Sequence, residues 1–285
     1  MSTANLEQPD RVRNGIIEGG VRMGMGGCLP FEVAEDLPTA IPEDSPIIQG
    51  IGETFDLGGF ERPRAPFSIG KADLTEIPTG TVFFGLPLKF PGTEYRVPEE
   101  LACVSQLLGT CASYESVVNP NLNDYYAYLS LYRTWVEKGE RQLTAGIHSD
   151  GIQGRRIEPK VPTEHGYQVT DSHPTNFFPQ SFNMTGVDVA KHLMDAVFES
   201  QVDRQKAVSI AAGQIAMFDA YCVHQAVPTT QSGWRTFAKL MYTPRQYDRL
   251  GNAVNVLFTA EYANFGWEFG PRPIPSDLEM PPLAA

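Results

Sequence analysis

The chain has 285 residues, of which 42% are hydrophobic and 20% charged, and its formal net charge is −12. This composition is ordinary for a soluble globular protein, and the length suits one large domain or two small ones. The excess of negative charge argues against a surface for nucleic acid or for anionic membrane, because such a field repels phosphate groups.

The sequence shows no segment typical of secretion or membrane insertion. The first 15 residues lack the apolar core of a signal peptide, and no apolar run approaches the ~20 residues that span a bilayer. The four cysteines are too sparse for a disulfide framework and lack the C-x2-C spacing of zinc sites. We therefore expect reduced, buried cysteines in a cytoplasmic protein.

Residues 1–95 are rich in glycine and proline, which break the chain into short strands and turns. The clearest strand of this part is TGTVFFGLPL, residues 79–88. These 95 residues match no motif, and we expect them to pack as an extension on a core that lies further along. The expected organisation is a single domain over residues 1–285.

Two segments are typical of helices. Residues 97–118 open with a proline and two glutamates, which suit a helix N-terminus, and then show apolar residues at helical spacing. Residues 187–202 show the same spacing. Both are expected to be supporting helices.

The remaining pattern is one of strands. Residues 123–140 indicate one long aromatic strand that ends in a turn, residues 207–227 indicate paired strands, and residues 236–243 indicate another. Strands and helices do not alternate regularly, and there is no glycine-rich phosphate loop. The fold class predicted is therefore mainly β with supporting helices, a β-sandwich or jelly-roll, rather than a doubly wound parallel sheet.

The segment AGIHSDGIQGRR, residues 145–156, carries His148 and Asp150 two positions apart. On a strand, residues at i and i+2 point to the same face, so both side chains could bind one metal ion. H-x-D alone is weak evidence, because Asp150 could merely orient His148. A third ligand is needed.

Among the other four histidines, the best candidate for a third ligand is His224. His192 lies within a predicted helix, where a packed or solvated histidine is the simpler interpretation. His165 adjoins a glycine, at a turn before a strand. His173 in TDSHPT forms a competing pair with Asp171, although the proline after it favours a turn. His224 instead follows the strand IAMFDAYCV and precedes the connection to the next strand.

The ordered set of His148-x-Asp150, then His224, then Arg235 eleven residues later resembles the non-haem iron(II), 2-oxoglutarate-dependent dioxygenases. Members of this family share a double-stranded β-helix, which is a jelly-roll of the cupin-like kind, with an HxD…H triad and a basic residue shortly after the last histidine. The resemblance covers residues 123–243, and it implies that this part is the jelly-roll core that carries the metal site.

The resemblance implies an Fe(II) ion bound by His148, Asp150 and His224. Two imidazoles and one carboxylate on one face of iron leave three adjacent positions open. In the family, 2-oxoglutarate takes two of these and O2 the third, and 2-oxoglutarate is converted to succinate and CO2. Because related halogenases replace the carboxylate ligand by a small residue, Asp150 favours hydroxylation or desaturation.

The resemblance assigns the far carboxylate of 2-oxoglutarate to Arg235, whose planar guanidinium can form paired charge-assisted hydrogen bonds. The family often has Ser or Thr two positions later, where this chain has Phe237, and Thr236 points to the other face of a regular strand. Tyr128 and Tyr132, on one face of the aromatic strand, are candidates for the missing hydroxyl. The alternative is that both are core aromatics.

Three further arginines are candidates for substrate contacts. Arg133 lies in the aromatic strand, where a charge is costly unless it is paired, so a structural ion pair is the competing interpretation. Arg155 and Arg156 either lie in a solvated loop or bind a substrate carboxylate. The substrate expected is a small molecule, such as an amino acid or natural product, and a carboxylate on it would suit this arginine pair.

Two other functions remain open from the sequence. A cupin-type metal enzyme without 2-oxoglutarate would usually need three or four histidines plus a glutamate, and no such cluster is visible. A jelly-roll protein that binds a small molecule without a catalytic metal would leave His148, Asp150 and His224 scattered. The sequence does not indicate the oligomeric state.

Overall fold

The computed structural model describes residues 21–33, 39–143, 146–150, 162–189 and 191–270. Within these ranges the strands are β1 (Arg22–Met23), β2 (Cys28–Leu29), β3 (Phe67–Lys71), β4 (Val82–Lys89), β5 (Val97–Pro98), β6 (Tyr126–Val136), β7 (His165–Thr170), β8 (Asn176–Phe177), β9 (Gln214–Asp219), β10 (His224–Gln225), β11 (Gly233–Thr243) and β12 (Val254–Asn255). The α-helices are α1 (Pro46–Gln49), α2 (Ser105–Val118), α3 (Met194–Glu199) and α4 (Thr259–Asn264).

Six strands form one antiparallel sheet, here called the large sheet, in the order β3–β9–β7–β11–β6–β4. β11 lies near its centre and pairs with both β6 and β7. Because side chains alternate along a strand, Arg235, Phe237 and Lys239 share one face of β11. Ala238 and Leu240 lie on the opposite face.

A second, much shorter sheet packs against the first and is here called the small sheet. β10 pairs with β8, which places His224 opposite Phe177. Isolated bridges extend this pairing on both sides, from His224 to His148 and from Phe177 to Val208. Phe218 of the large sheet contacts the rings of Phe177 and His224, so the two sheets meet face to face.

The chain alternates between the two sheets as a jelly-roll requires. β6, β7, β9 and β11 belong to the large sheet, whereas the segments at His148, Phe177, Val208 and His224 belong to the small one. This topology confirms the predicted mainly β fold with a double-stranded β-helix core. From the N-terminal part, β3 and β4 extend the large sheet at its two edges.

The predicted strands are present. Residues 79–88 contain all of β4 except its last residue, Lys89. Residues 123–140 contain β6, residues 207–227 contain β9 and β10, and residues 236–243 lie within β11. Gly213, with a positive φ of 77°, lies in the turn directly before β9. The aromatic residues of β6 are almost all buried, as expected for a strand in the middle of a packed sheet.

The predicted helices are correct in place but not in extent. The helix predicted over 97–118 is α-helical over Ser105–Val118 and begins as a 3₁₀ turn over Glu99–Val104. The helix predicted over 187–202 is α-helical only over Met194–Glu199. Leu193 has extended backbone angles, and the N–H groups of Lys191 and His192 close a separate turn on the carbonyl of Asp188, so helix and turn cannot be continuous.

The structure bears on two features expected from the sequence, the lack of membrane-spanning segments and the burial of the cysteines. No helix among the described residues is both long and apolar enough to cross a bilayer. The four cysteines are free thiols: Cys111 and Cys222 are buried and Cys103 is half-buried, but Cys28 is exposed. The expectation of buried cysteines is therefore wrong for Cys28, which lies on the short strand β2.

The outer face of the large sheet packs against α2 around a buried carboxylate. Glu115 of α2 accepts hydrogen bonds from His165 Nε2 at 2.9 Å and from the Tyr167 hydroxyl at 2.9 Å. Asn119 Nδ2 donates to the same carboxylate at 2.7 Å. Burial by itself would lower the pKa of His165, but the charge and hydrogen bond of Glu115 raise it above 6.5. This polar cluster joins helix to sheet.

We predict that Glu115→Ala lowers the free energy of unfolding by about 3–5 kcal/mol, because it leaves buried donors on His165 and Tyr167 without an acceptor. Urea unfolding measures the change. The matched control is Val117→Ala on the exposed face of α2, which should change stability by less than about 0.5 kcal/mol. Equal effects of the two substitutions would contradict the assigned role of Glu115.

The raised pKa of His165 also predicts a pH dependence. A raised pKa in the folded state means that the stabilisation is complete below the unfolded value of about 6.5 and is lost as pH rises through the folded value. The difference in unfolding free energy between wild type and Glu115→Gln should therefore shrink as pH rises above about 6.5. Urea titrations across this range would contradict the prediction if the difference stayed constant.

Candidate metal centre

His148 and His224 are direct neighbours in the small sheet. The His148 N–H donates to the His224 carbonyl at 2.9 Å, and the His224 N–H donates to the His148 carbonyl at 2.7 Å. Directly opposed residues of an antiparallel pair carry their side chains on the same face. The two imidazole centroids are accordingly only 4.4 Å apart.

Asp150 joins this pair because it follows His148 by two residues. The intervening Ser149 donates a hydrogen bond to the carbonyl of Ala220, which anchors the segment. Asp150 Oδ2 lies 3.9 Å from His224 Nε2, and one ligand atom from each of the three residues lies within 4.8 Å of the others.

These spacings fit a shared metal ion. Two atoms that each bind one ion at about 2.1 Å are at most about 4.2 Å apart. The distance of 3.9 Å between His224 Nε2 and Asp150 Oδ2 is within this limit, and the upper bound of 4.8 Å for the whole set is close to it. The structure therefore brings together the three residues that the sequence motif selected as metal ligands.

Both imidazoles are held with the same nitrogen toward the site. His148 Nδ1 lies 3.0 Å from the Gly146 carbonyl, and His224 Nδ1 lies 2.8 Å from the Cys222 carbonyl. A carbonyl oxygen only accepts, so each Nδ1 carries the proton and each Nε2 keeps its lone pair. This tautomer is the one that a metal-binding histidine needs.

The ionisation of the site also suits a cation. Burial, together with the neighbouring His148, lowers the pKa of His224 to about 4, so this imidazole is neutral at pH 7. Burial alone would raise the pKa of Asp150, but the positive charge of Lys239 and the two histidines hold it well below its usual range. A neutral imidazole thus faces an ionised carboxylate.

The donor set agrees with iron better than with the alternatives. Two imidazoles and one carboxylate are typical of non-haem Fe(II) sites with open positions. Among the described residues, no further histidine or glutamate joins the cluster, so the larger set expected of a cupin-type enzyme is not formed there. The scatter expected of a binding protein without a metal is contradicted by the convergence of the three side chains.

Lys239 is a residue of this site that the sequence reasoning missed. Its Nζ lies 3.0 Å from Asp150 Oδ1 and 3.0 Å from Oδ2. The signal was available in TFAKLMYT, because Lys239 follows Arg235 by four residues and therefore shares its face of β11. A lysine on an inward strand face needs a buried anion, and Asp150 is that anion.

Arg235 lies at the start of β11 and is buried, with 4% of its surface exposed. Its Nε donates to the Ser172 carbonyl at 3.1 Å, its Nη2 donates to the His173 carbonyl at 2.9 Å, and its Nη1 donates to Gln142 Oε1. Gln142 in turn donates to the Arg235 carbonyl. The guanidinium is thus held rigidly by neutral acceptors.

The charge of Arg235 is only indirectly balanced. Burial lowers its pKa to about 10, so it remains a cation at pH 7. The carboxylate of Asp171 acts on it electrostatically, but Asp171 Oδ1 accepts a hydrogen bond from the Thr236 N–H instead. Among the described residues, no carboxylate forms an ion pair with Arg235 within 4.0 Å.

The two tyrosines proposed as helper hydroxyls differ in their surroundings. The Tyr128 hydroxyl donates to the Arg245 carbonyl at 3.1 Å and accepts from the Tyr247 N–H at 3.2 Å, so it is committed to the core. Tyr132 lies directly opposite Phe237 in the β6–β11 pair and therefore shares the face of Arg235. Both roles stay predictions, and the two backbone hydrogen bonds of the Tyr128 hydroxyl make Tyr132 the better candidate.

The arginines predicted to contact substrate fall into two groups. Arg133 Nη1 donates to the carbonyls of Leu74, Thr75 and Ile77, and Arg133 pairs with Thr236 on the face of the sheet away from Lys239. These contacts favour the structural interpretation, with carbonyls rather than the ion pair considered, and the substrate role stays a prediction. Arg155 and Arg156 lie outside the described residues.

The other histidines do not reach the triad. His165 is buried in β7 against Glu115, not in a turn. His173 has a positive φ of 48° and its Nε2 accepts from the Thr230 N–H at 3.0 Å, so the turn interpretation is right. His192 Nδ1 accepts from the Asp188 N–H at 2.9 Å, in a turn rather than within a helix.

Comparison with known proteins gives only distant likeness. EvdMO1 is matched over 65% of this chain and 48% of its own length, with 15% identity and a TM-score of 0.36, so the match spans about half of that protein. AviO1 from Streptomyces viridochromogenes Tue57 is matched over 72% of this chain and 96% of its own, with 14% identity and a TM-score of 0.37. EvdO2 from Micromonospora carbonacea var. aurantiaca, complexed with 2-oxoglutarate, is matched over 74% and 94%, with 14% identity and a TM-score of 0.36.

No protein-family model matches the chain, and no curated protein matches it. The structural likenesses have TM-scores below 0.5. The function therefore has to be inferred from the chain's own residues.

We predict that His224→Ala weakens Co²⁺ binding by more than about 100-fold, because even the loss of an outer-sphere partner weakens metal sites about 10–100-fold. Titration calorimetry of the metal-free protein measures the affinity. His192→Ala is the matched control, since it removes a histidine outside the site and should leave Co²⁺ affinity unchanged. Equal affinities of the two variants would contradict the assignment.

Proposed function

We propose that this protein is an Fe(II)- and 2-oxoglutarate-dependent oxygenase that hydroxylates or desaturates a small molecule. The observation that carries the proposal is the pair of imidazoles, each capped at Nδ1 by a backbone carbonyl, which face a buried carboxylate on the same side of the small sheet. This donor set suits Fe(II) in an oxygenase.

His148, Asp150 and His224 would hold the iron. When bound, the iron and 2-oxoglutarate would activate O2 for oxidation of the substrate, with release of succinate and CO2. The chain's part is to keep the two Nε2 lone pairs and the Asp150 carboxylate turned to one point and free of protons at pH 7. The low pKa of His224 and of Asp150 serves this purpose.

Arg235 would bind the far carboxylate of 2-oxoglutarate. A guanidinium has five N–H donors, and the hydrogen bonds to Ser172, Gln142 and His173 use one on each nitrogen. One N–H therefore remains on each terminal nitrogen, which suits paired hydrogen bonds to an incoming carboxylate. The Tyr132 hydroxyl is the better candidate for a helper contact.

The nature of the substrate rests on charge and on the sequence. The net charge of −12 disfavours polyanions such as nucleic acid, so a small molecule is the proposed substrate. Arg155 and Arg156 are proposed to bind a carboxylate on it. The presence of Asp150, rather than a small residue, supports oxygenation or desaturation over halogenation.

An anaerobic titration tests this proposal. Fe(II) and 2-oxoglutarate, added together to the metal-free protein, should produce the weak visible charge-transfer absorption of a 2-oxoglutarate chelate on iron. Absence of this absorption in the wild-type protein would overturn the proposed function. Oxygen is then admitted, and succinate formation provides a second readout.

We predict that Arg235→Ala weakens 2-oxoglutarate binding by at least about 30-fold, because loss of one partner of a buried charge pair costs about 2 kcal/mol or more. Titration of the visible absorption measures the affinity. Arg62→Ala, at an exposed position, is the control and should bind as the wild type does. Unchanged absorption in Arg235→Ala, with Co²⁺ binding intact, would remove only the role given to Arg235.

A further inference from the structure

A lysine contacts the candidate iron ligands, and the HxD…H…R pattern does not account for it. Lys239 Nζ lies 3.0 Å from each oxygen of Asp150. The Lys239 side chain is 16% exposed and that of Asp150 is 4% exposed, so this is a largely buried ion pair. Such a pair is strongly coupled, because solvent screens it poorly.

Lys239 contacts the Asp150 oxygen that is placed to bind the metal. Asp150 Oδ2 is the oxygen that faces His224 Nε2, at 3.9 Å, and it is therefore the oxygen placed to bind an ion shared with His224. A lysine that contacted Oδ1 alone would leave Oδ2 without a cation beside it. Lys239 Nζ instead contacts Oδ1 and Oδ2 equally.

The charges at the site make metal and lysine competitors. Asp150 is the one carboxylate among the three candidate ligands, since the other two are imidazoles. One carboxylate cannot neutralise both an ammonium group and a divalent ion. With both cations close to Asp150 in a poorly solvated barrel, their mutual repulsion is substantial.

We propose that Lys239 is a built-in counter-ion of Asp150 that a divalent metal ion must displace from Oδ2, and that this lysine thereby weakens metal binding until an anionic co-substrate arrives. The inference rests on the metal centre of the proposed function. It assigns to Lys239 a control of metal affinity, which is distinct from substrate contact and from the anchoring role of Arg235.

The proposal implies coupling between metal and 2-oxoglutarate. The carboxylate of 2-oxoglutarate next to the metal supplies a second anion, so the released ammonium group regains a partner. Metal and co-substrate then each raise the affinity for the other, as linkage requires. Without the lysine the metal alone already binds well, and the enhancement by 2-oxoglutarate becomes smaller.

The test compares Lys239→Met with wild type by calorimetric titration of Co²⁺ into metal-free protein, without and with 2-oxoglutarate. Lys71→Met on β3 is the matched control, because it removes one exposed strand lysine and changes the net charge equally. We expect Lys239→Met to bind Co²⁺ alone at least about tenfold more tightly than wild type. The enhancement by 2-oxoglutarate should fall, and Lys71→Met should match the wild type.

Thermal unfolding gives a second readout. Metal-free Lys239→Met should melt below the wild type because Asp150 is left as an unpaired buried carboxylate, and saturating Co²⁺ should raise its melting temperature more than it raises that of the wild type. If the methionine variant does not fold, Lys239→Gln, which keeps one donor without charge, serves in both measurements and should shift in the same direction.

Each of the following outcomes would overturn the proposal. Co²⁺ binding about 10–100-fold weaker in the variant would show that Lys239 orients Asp150 for the metal instead. Unchanged affinity would show that the lysine is released freely. Failure of the wild type to bind Co²⁺ or Fe(II) would instead remove the metal centre itself, and with it the proposed function, so the two failures are distinguishable.

Discussion

The reciprocal backbone hydrogen bonds between His148 and His224 are the constraint on which the site depends. The small sheet is only a few residues long, so this one bridge fixes the separation of the two imidazoles. The carbonyls of Gly146 and Cys222 then fix the ring orientation. Because these contacts are made by the backbone, the ligand geometry is set by the fold and not by the presence of a ligand.

The large sheet contributes the two cationic side chains of the site. β11 lies near its centre and carries Arg235 and Lys239 on one face, about 13 Å apart along the strand at about 3.3 Å per residue. The other face of the sheet is held by α2 through Glu115 and His165. The spacing on β11 allows one cation to act at the triad and the other to act further along the barrel.

Sequence reasoning reached the residues whose relations are local. The spacing of His148 and Asp150 is a property of one strand, and the order of His224 and Arg235 follows from two adjacent strands. Partners distant in sequence were inaccessible: Arg133 is capped by carbonyls almost sixty residues earlier, and the Tyr128 hydroxyl meets backbone more than a hundred residues later. The alternation of side chains along a strand could have placed Lys239 on the face of Arg235. It could not have identified Asp150 as the partner of Lys239.

The balance of charge connects the candidate metal centre with the proposed co-substrate. β11 turns two cations, Arg235 and Lys239, toward the face on which the triad contributes one anion, Asp150. A divalent ion increases the positive excess, and a site of this kind binds best when a dianion enters with the metal. 2-Oxoglutarate has one carboxylate for the metal end and one for Arg235. In the proposed enzyme the co-substrate would offset part of the cost of placing both cations in the barrel interior.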